Sequence, residues 1–492
     1  MKITINPNSV EDYKRFIAAK ALPRFRCHGH EIEFPDEYAE RLGLSPAKEP
    51  ASADYRPVKG LFDYQRDIAK LAISKRKFCV FADCGLGKTL VLLEFAHHVH
   101  SVLPTKRILI LSPLMVVGQT LEECERWYKG KLPIEQVKAR DLAKWCSSDG
   151  GAIGILNYDA VNDGVPQGNL GALILDESSM LKSHYGKWGD NCIRLGEGLP
   201  YKLALTGTPA PNDRIEFANH ALLMDAFPTV NSFLARYFVN KGETQERWIL
   251  KAHALEAFYR DISHWCIFLT NPATYGWQDN CGSVPPINIH IHDIDLTGEQ
   301  REAVYGLTGT LFLDSPGGIT KRAKLSQIGK GNHNGASVET LKPEFIRELV
   351  NSWPSESTII WCHFNHEQDG MDRLFPEAAS IRGDTKQEKR EELIAEFKAG
   401  TRKILISKPK VLGFGLNLQI ATRQVFSGIN DSYESFYQAV KRSNRYGSDR
   451  PLNVHIPVTE IERPMVDNVL RKASRVQKDT EEQERIFKKF KI

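Results

Sequence analysis

At 492 residues the chain is too long for one ordinary domain, and two or three are expected. A hydrophobic fraction of 41% with a net charge of only +4 excludes wholesale disorder, and composition alone makes no case for nucleic acid. Nine scattered cysteines with no Cys-x-x-Cys pair exclude a disulfide scaffold, and no run approaches the ~18 apolar residues of a membrane span.

Taken in chain order, residues 1–55 form an accessory region with no nameable motif. Its Cys27, His28 and His30 have no second ligand pair at zinc-site spacing, so they read as a polar surface turn. Over 56–226 the apolar runs "KFCVFA" (77–82), "RILILS" (107–112), "GAIGILNYD" (151–159), "GALILDE" (171–177) and "YKLALTGTP" (201–209) alternate with helical stretches such as "KTLVLLEFAHHVH" (88–100). Short buried runs alternating with helices predict a parallel sheet covered on both faces. The aromatic-rich stretch 227–290 reads as a helical insertion and connector, and "CGSVPPINIHIHDIDLTGEQ" (281–300) has two prolines and no helix signal. The alternation returns over 291–475 with "STIIWCH" (357–363), "RKILISK" (402–408), "RQVFSG" (423–428) and "NVHIPV" (453–458), while "SPGGITKRAKLSQIGKGNHNGAS" (315–337) reads as a loop. The tail 476–492 carries both charges and reads as a solvated helix. The fold class is therefore α/β, with two parallel-sheet lobes in tandem.

Three stretches carry chemistry. "FADCGLGKT" (81–89) follows a strand and opens a helix, as a phosphate loop requires. Ala82, Asp83, Cys84, Gly85, Leu86 and Gly87 would turn backbone amides inward, Lys88 would reach the β- and γ-phosphates of ATP, and the Thr89 hydroxyl would ligate Mg²⁺. "ALILDESS" places Asp176 and Glu177 at the end of a buried strand. Asp176 would hold Mg²⁺ through water and Glu177 would orient and deprotonate the attacking water. In "QAVKRSNRYG" Gln438, Arg442 and Arg445 are spaced four and three apart, on one face of a predicted helix, from which two guanidiniums could neutralise charge on a γ-phosphate.

Over about residues 58–475 these motifs, in this order, resemble superfamily 2 helicase-like ATPases and most closely the Swi/Snf-type DNA translocases. "LFDYQ" places Tyr64 and Gln65 where that family reads adenine, and "DESSMLKS" is similar to its Asp-Glu-Ala-His motif with Ser179 in place of the histidine. "LALTGTPAPND" resembles its third motif, "GFGLNLQIA", with Gly415 and Asn417 at the nucleotide, its fifth, and "QAVKRSNRYG" its sixth. Compact chains of this sort look like helicase-like proteins of bacteriophages and prophages. The resemblance implies two RecA-like lobes, ATP and Mg²⁺, and a cytoplasmic location, that of the host if viral. It also implies nucleic-acid contacts, for which Ser112, Pro113, Lys182, Thr206, Lys408 and Lys410 are the candidates.

The expected function is an ATP-driven motor on duplex DNA, acting as a monomer, away from membranes, with residues 1–55 or the helical insertion available to a protein partner. Two alternatives stand beside it: a strand-separating helicase, and a nucleotide-switched DNA-binding scaffold that recruits a partner without moving. No nuclease, methyltransferase or protease constellation is evident.

Overall fold

The apolar runs become two parallel sheets, each in its own unit: Met1–Asn280 with Lys478–Ile492, and Cys281–Gln477. The computed structural model describes residues 1–22, 24–44, 52, 54–181, 187–211, 213–242, 248–278, 284–309, 319–412, 416–445 and 448–489.

The first unit opens with β1 (Lys2–Thr4), β2 (Arg26–His28) and β3 (Glu31–Glu33), an antiparallel sheet with β3 central. Gly29, at φ +62°, turns the β2–β3 hairpin, so Cys27 and His28 lie on an exposed strand and His30 in the turn itself. Among the described residues no group of three or more His, Cys, Asp or Glu could hold a metal ion.

The main sheet follows as β4 (Lys77–Ala82), β5 (Arg107–Ser112), β6 (Ile134–Gln136), β7 (Ala152–Asn157), β8 (Leu170–Leu175) and β9 (Tyr201–Thr206). After the hairpin β10 (Phe238–Asn240) and β11 (Trp248–Leu250), β12 (Cys266–Leu269) completes it in the order β12-β4-β9-β8-β5-β7-β6, all parallel. Every residue of β8 and β9 is buried, as a sheet covered on both faces demands.

The stretch 227–290 is less helical than its sequence suggests. It holds helices Val230–Tyr237 and Leu255–Ile262, but also the hairpin and β12, which pairs with β4 from Cys266↔Cys79 to Leu269↔Ala82. Its aromatics are core: Tyr237 and Phe258 meet edge-on at 5.2 Å, and Phe233 and Tyr237 at 5.5 Å. The charged tail is not wholly solvated either. Helix Arg463–Lys489 ends with Ile486 and Phe487 in the first unit's core, and the Phe487 ring meets Phe268 edge-on at 5.1 Å.

In the second unit β13 (Ile287–Ile294) arises inside the expected connector, because Ile287 and Ile291 alternate with polar residues and dock on the core. The small hairpin β14 (Asn332–His333) and β15 (Ala336–Ser337) follows helix Ile319–Gly329, which occupies described residues of the expected loop. The sheet continues with β16 (Thr358–Trp361), β17 (Ala379–Ser380), β18 (Ile404–Ser407), β19 (Arg423–Phe426) and β20 (Leu452–Thr459), ordered β13-β20-β19-β16-β18-β17 and parallel throughout. Lys330, Lys342 and Glu462 lie buried together in this unit, with Lys342 Nζ 2.5 Å and Lys330 Nζ 3.4 Å from Glu462. No helix among the described residues is long and apolar enough to cross a membrane.

Candidate active site

Strands β4, β9 and β8 are neighbours, so the loops leaving their carboxyl ends meet. The loop after β4 turns on Gly85 (φ +90°) and Gly87 (φ +67°), and Gly87 begins helix Lys88–Val102 without a side-chain cap. The first amides of that helix are thus left for an anion, and no acidic residue stands in its first turn. Lys88 Nζ donates to the carbonyls of Ala82 at 2.8 Å and Asp83 at 3.2 Å, curling back over the loop. The Asp83 carboxylate accepts from the Cys84 amide at 2.6 Å, fixing the turn.

Tyr64 and Gln65 brace this loop. The Tyr64 hydroxyl and the Gln65 amide nitrogen both donate to the Leu86 carbonyl, at 3.2 and 3.4 Å, and Gln65 Oε1 accepts from the Phe62 amide at 3.1 Å. The positive φ of Gly87 favours glycine, and a Cβ there would lie 2.2 Å from Gln65 Nε2 and displace that amide. Tyr64 and Gln65 are buried, at 1% and 4% exposure, and bond to the loop. The half-buried Phe62 ring stacks on Tyr64 at 5.8 Å and is the ring that sequence reasoning passed over.

Asp176 follows β8 and is 7% exposed. Its amide donates to the Leu111 carbonyl at 2.8 Å, its Oδ2 accepts from the Ser112 hydroxyl at 3.0 Å, and its carbonyl accepts from the Tyr158 hydroxyl at 2.6 Å. Burial, reinforced by the neighbouring Glu177 charge, pushes its carboxyl up to about 6; the Ser112 bond and Lys88 pull the other way. Glu177 Oε1 accepts from Thr206 Oγ1 at 2.6 Å and from Ser179 Oγ at 3.1 Å, and Thr206 Oγ1 in turn accepts from the Thr208 amide at 3.1 Å. The serine at the expected histidine position therefore still serves the carboxylate. The hydroxyl of Thr89 and the carboxylate of Asp176 are hard oxygen donors, the set that suits Mg²⁺.

Two expected nucleic-acid contacts are corrected here. Ser112 and Thr206 are fully buried, at 0% exposure, and their hydroxyls hold Asp176 and Glu177. The order of the strands turns them inward. Pro113 is also buried, at the start of helix Leu114–Tyr128. Lys182 and Gly415 lie outside the described residues.

In the second unit helix Tyr433–Val440 carries Gln438 but stops before the arginines. The amides of Arg442 and Ser443 bond three residues back, to Ala439 and Val440, and the Arg442 carbonyl accepts from the Leu418 amide at 3.0 Å, so the chain tightens and leaves the helix. Gln438 and Arg442, four residues apart, still touch, while Arg445 lies beyond the helix. Arg442 is buried at 6% exposure and donates to Gln438 Oε1 at 3.0 Å and to the Leu416 carbonyl at 3.4 Å, while Arg445 is half-buried. Asn417 is exposed and its amide nitrogen donates to Gln419 Oε1 at 2.7 Å. Half-buried Lys408 donates to Asn365 Oδ1, and Lys410 is exposed. Burial, with the nearby charges of Lys330, Lys410 and Lys408, lowers His363 to about 4.

Residues 64–305 match the SNF2-related domain family and residues 341–447 the helicase conserved C-terminal domain family. The ATP-dependent RNA helicase FAL1 of Kluyveromyces lactis is 25% identical over 156 residues, 31% of this chain and 38% of that protein. Human chromodomain-helicase-DNA-binding protein 8 is 27% identical over 212 residues, 38% of this chain and 8% of that protein, so the likeness spans well under half of either relative. Among solved structures, the Sulfolobus solfataricus SWI2/SNF2 ATPase core in complex with dsDNA is similar at 19% identity and a TM-score of 0.40, covering 84% of this chain and 90% of that one. The Pyrococcus furiosus Hef helicase domain is similar at 13% identity and a TM-score of 0.47, covering 84% and 99%. With the two domain families matched in tandem around the loops just described, the chain belongs to the Swi/Snf-type helicase-like ATPases of superfamily 2.

Proposed function

We propose that this ATPase is a motor that moves along duplex DNA without separating its strands. The observation that supports the reading most directly is the convergence of Lys88, the Asp176–Glu177 pair and Thr206 at three adjacent strand ends, with Glu177 fastened to Thr206. Lys88 and the uncapped helix start bind the phosphates of ATP. Thr89 and Asp176 hold Mg²⁺, which supplies charge neutralisation at the phosphates when bound. Glu177 takes a proton from the attacking water, its angle set by Thr206 and Ser179. Arg442 and Arg445 neutralise transition-state charge, and for Arg442 that requires exchanging its bonds to Gln438 and the Leu416 carbonyl for the phosphate. Lys408, half-buried, and Lys410, exposed, contact the phosphate backbone.

The named relatives include both an RNA helicase and a DNA-binding helicase, so the track has to be tested directly. Turnover is measured against duplex, forked and single-stranded DNA and RNA, with Glu177→Gln as the inactive control. Stimulation by duplex DNA without strand displacement is expected. Displacement on the fork rejects the pure translocase in favour of a helicase, and stimulation by RNA alone rejects both DNA readings. ATP-dependent DNA binding without stimulated turnover favours the switched scaffold.

A further inference from the structure

Glu177 has a φ of +49°, a left-handed conformation that residues with side chains rarely adopt. Such a conformation persists only where the surroundings over-determine it. On its amino side the hold comes from the Asp176 backbone, gripped by Leu111 and Tyr158. On its carboxyl side the Met180 amide donates to the Glu177 carbonyl at 3.3 Å, and the turn that follows is bonded to one short helix, Phe217–Leu223. His220 Nε2 lies 3.0 Å from the Ser178 hydroxyl, and the amide nitrogen of the adjacent Asn219 donates to the Leu181 carbonyl at 2.6 Å. The helix therefore clasps both ends of the Ser178–Leu181 turn that follows Glu177.

His220 reaches the phosphate loop's strand as well. Its ring stands edge-on to Phe81 at 5.2 Å, and Phe81 is the penultimate residue of β4. The imidazole is fully buried at 0% exposure, among Phe81, Phe217 and other apolar side chains. An apolar side chain would fill that space without the desolvation cost of a polar ring. Burial lowers the ring to about 4, so it is neutral near physiological pH and offers Ser178 a fixed, uncharged partner.

We propose that His220, acting through Ser178, is a positioning residue that holds the strained Glu177 turn in register with the phosphate-loop strand. The inference rests on the reading of Glu177 as the group that activates water. His220 touches no reacting atom, so its loss should leave nucleotide binding intact and slow turnover.

The test uses the full chain with His220→Phe, Ser178→Ala, the double variant, His220→Gln and Glu177→Gln. Turnover is titrated with ATP, nucleotide affinity is read with a fluorescent analogue, and the melting temperature is recorded beside both. His220→Phe and Ser178→Ala should each lower kcat about tenfold. KM and nucleotide affinity should stay within about twofold, and the double variant should be no slower than the slower single one. His220→Gln, whose amide can renew the bond to Ser178, should recover most of the loss. Wild-type kcat in both His220→Phe and Ser178→Ala, with Glu177→Gln inactive, overturns the positioning role and leaves the ATPase reading standing. Undiminished turnover in Glu177→Gln overturns that reading itself. Multiplying losses in the double variant overturn the shared path. Should His220→Phe fail to fold, Ser178→Ala and His220→Gln carry the same comparison.

Discussion

Thr206→Val separates a catalytic support from a nucleic-acid contact. Valine keeps the shape of the buried threonine but removes the hydroxyl that donates to Glu177 Oε1 at 2.6 Å and accepts from the Thr208 amide at 3.1 Å. A hydrogen bond to an ionised carboxylate is worth ~1.5–3 kcal/mol. Ser179 stays on the same oxygen at 3.1 Å, so the lower end applies, and a loss of ~1.5 kcal/mol corresponds to about tenfold in rate. The Thr208 amide, in a residue 4% exposed, loses its partner and adds ~1–3 kcal/mol of destabilisation. Steady-state ATPase titrated with ATP and with duplex DNA, alongside DNA binding by anisotropy, reads these effects separately. The expected result is kcat down about tenfold with KM and DNA affinity within about twofold, and Thr206→Ser close to wild type. Weakened DNA binding at normal kcat would refute the reasoning and return Thr206 to the strand contact suggested by its motif.

At Gly207 an added Cβ would meet Ala82 O at 3.4 Å and Cys84 Sγ and Lys88 Nζ at 3.7 Å, ordinary contacts that crowd the lysine without a clash. Gly207→Ala should therefore fold with stability unchanged to ~1 kcal/mol while KM for ATP rises, and a normal KM would show that this space is not needed. Glu462→Ala strands two lysines whose side chains are 0% and 3% exposed, and chemical denaturation should show a loss of ~3–5 kcal/mol. Because the two lysines hold the Glu462 carboxyl below its usual 4.5, its contribution is complete above that value and lost as pH falls through the lower folded-state value, so the gap between variant and wild type should narrow in acid. His455 titrates in a different window: burial, His290, His292 and Arg423 lower it from 6.5 to about 3, so the unfolded chain takes its proton first. Stability should be full above 6.5 and drain below it by up to ~1.4 kcal/mol per pH unit. Hydrogen exchange in β13 and β20, corrected for intrinsic rates, should show that drain, and His455→Gln should flatten it; equal slopes in the two proteins reject the assignment.

The parts of the fold legible in the sequence were those with a long apolar run. The strands ending at Ala82, Leu175 and Thr206 stand next to one another, and each has six residues, nearly all buried. Cys266–Leu269 was lost among aromatic helices because four residues make no period, and Ile287–Ile294 was masked by the prolines before it. Within the site, Asp176 and Glu177 were legible from their place after an apolar strand. The partners of Ser112 and Thr206 were not, since a hydroxyl's target depends on which strand lies beside it, and that is settled by β8 pairing with both β5 and β9. His220 gave no local signal, being one histidine in a short apolar helix. The helical spacing brings Gln438 and Arg442 together, but it cannot register the tightened turn that begins after Val440 and ends the helix before Arg445.

The nucleotide-binding unit is discontinuous in the chain. Ile486 and Phe487 belong to its core, and Glu484 accepts from the amide of Thr270, the residue after β12, at 2.7 Å. The whole of the second unit is synthesised between Asn280 and these residues. A ribosome making this protein therefore releases the phosphate loop and its strands long before the last pieces of their core exist. The usual order, in which an amino-terminal domain finishes folding while the rest is still being made, is closed to this one. Its apolar face around Phe268 must stay unaggregated until Phe487 has been made, so the rate of synthesis and the supply of chaperones bear on the yield of active protein in a way that the stability of the finished fold does not report.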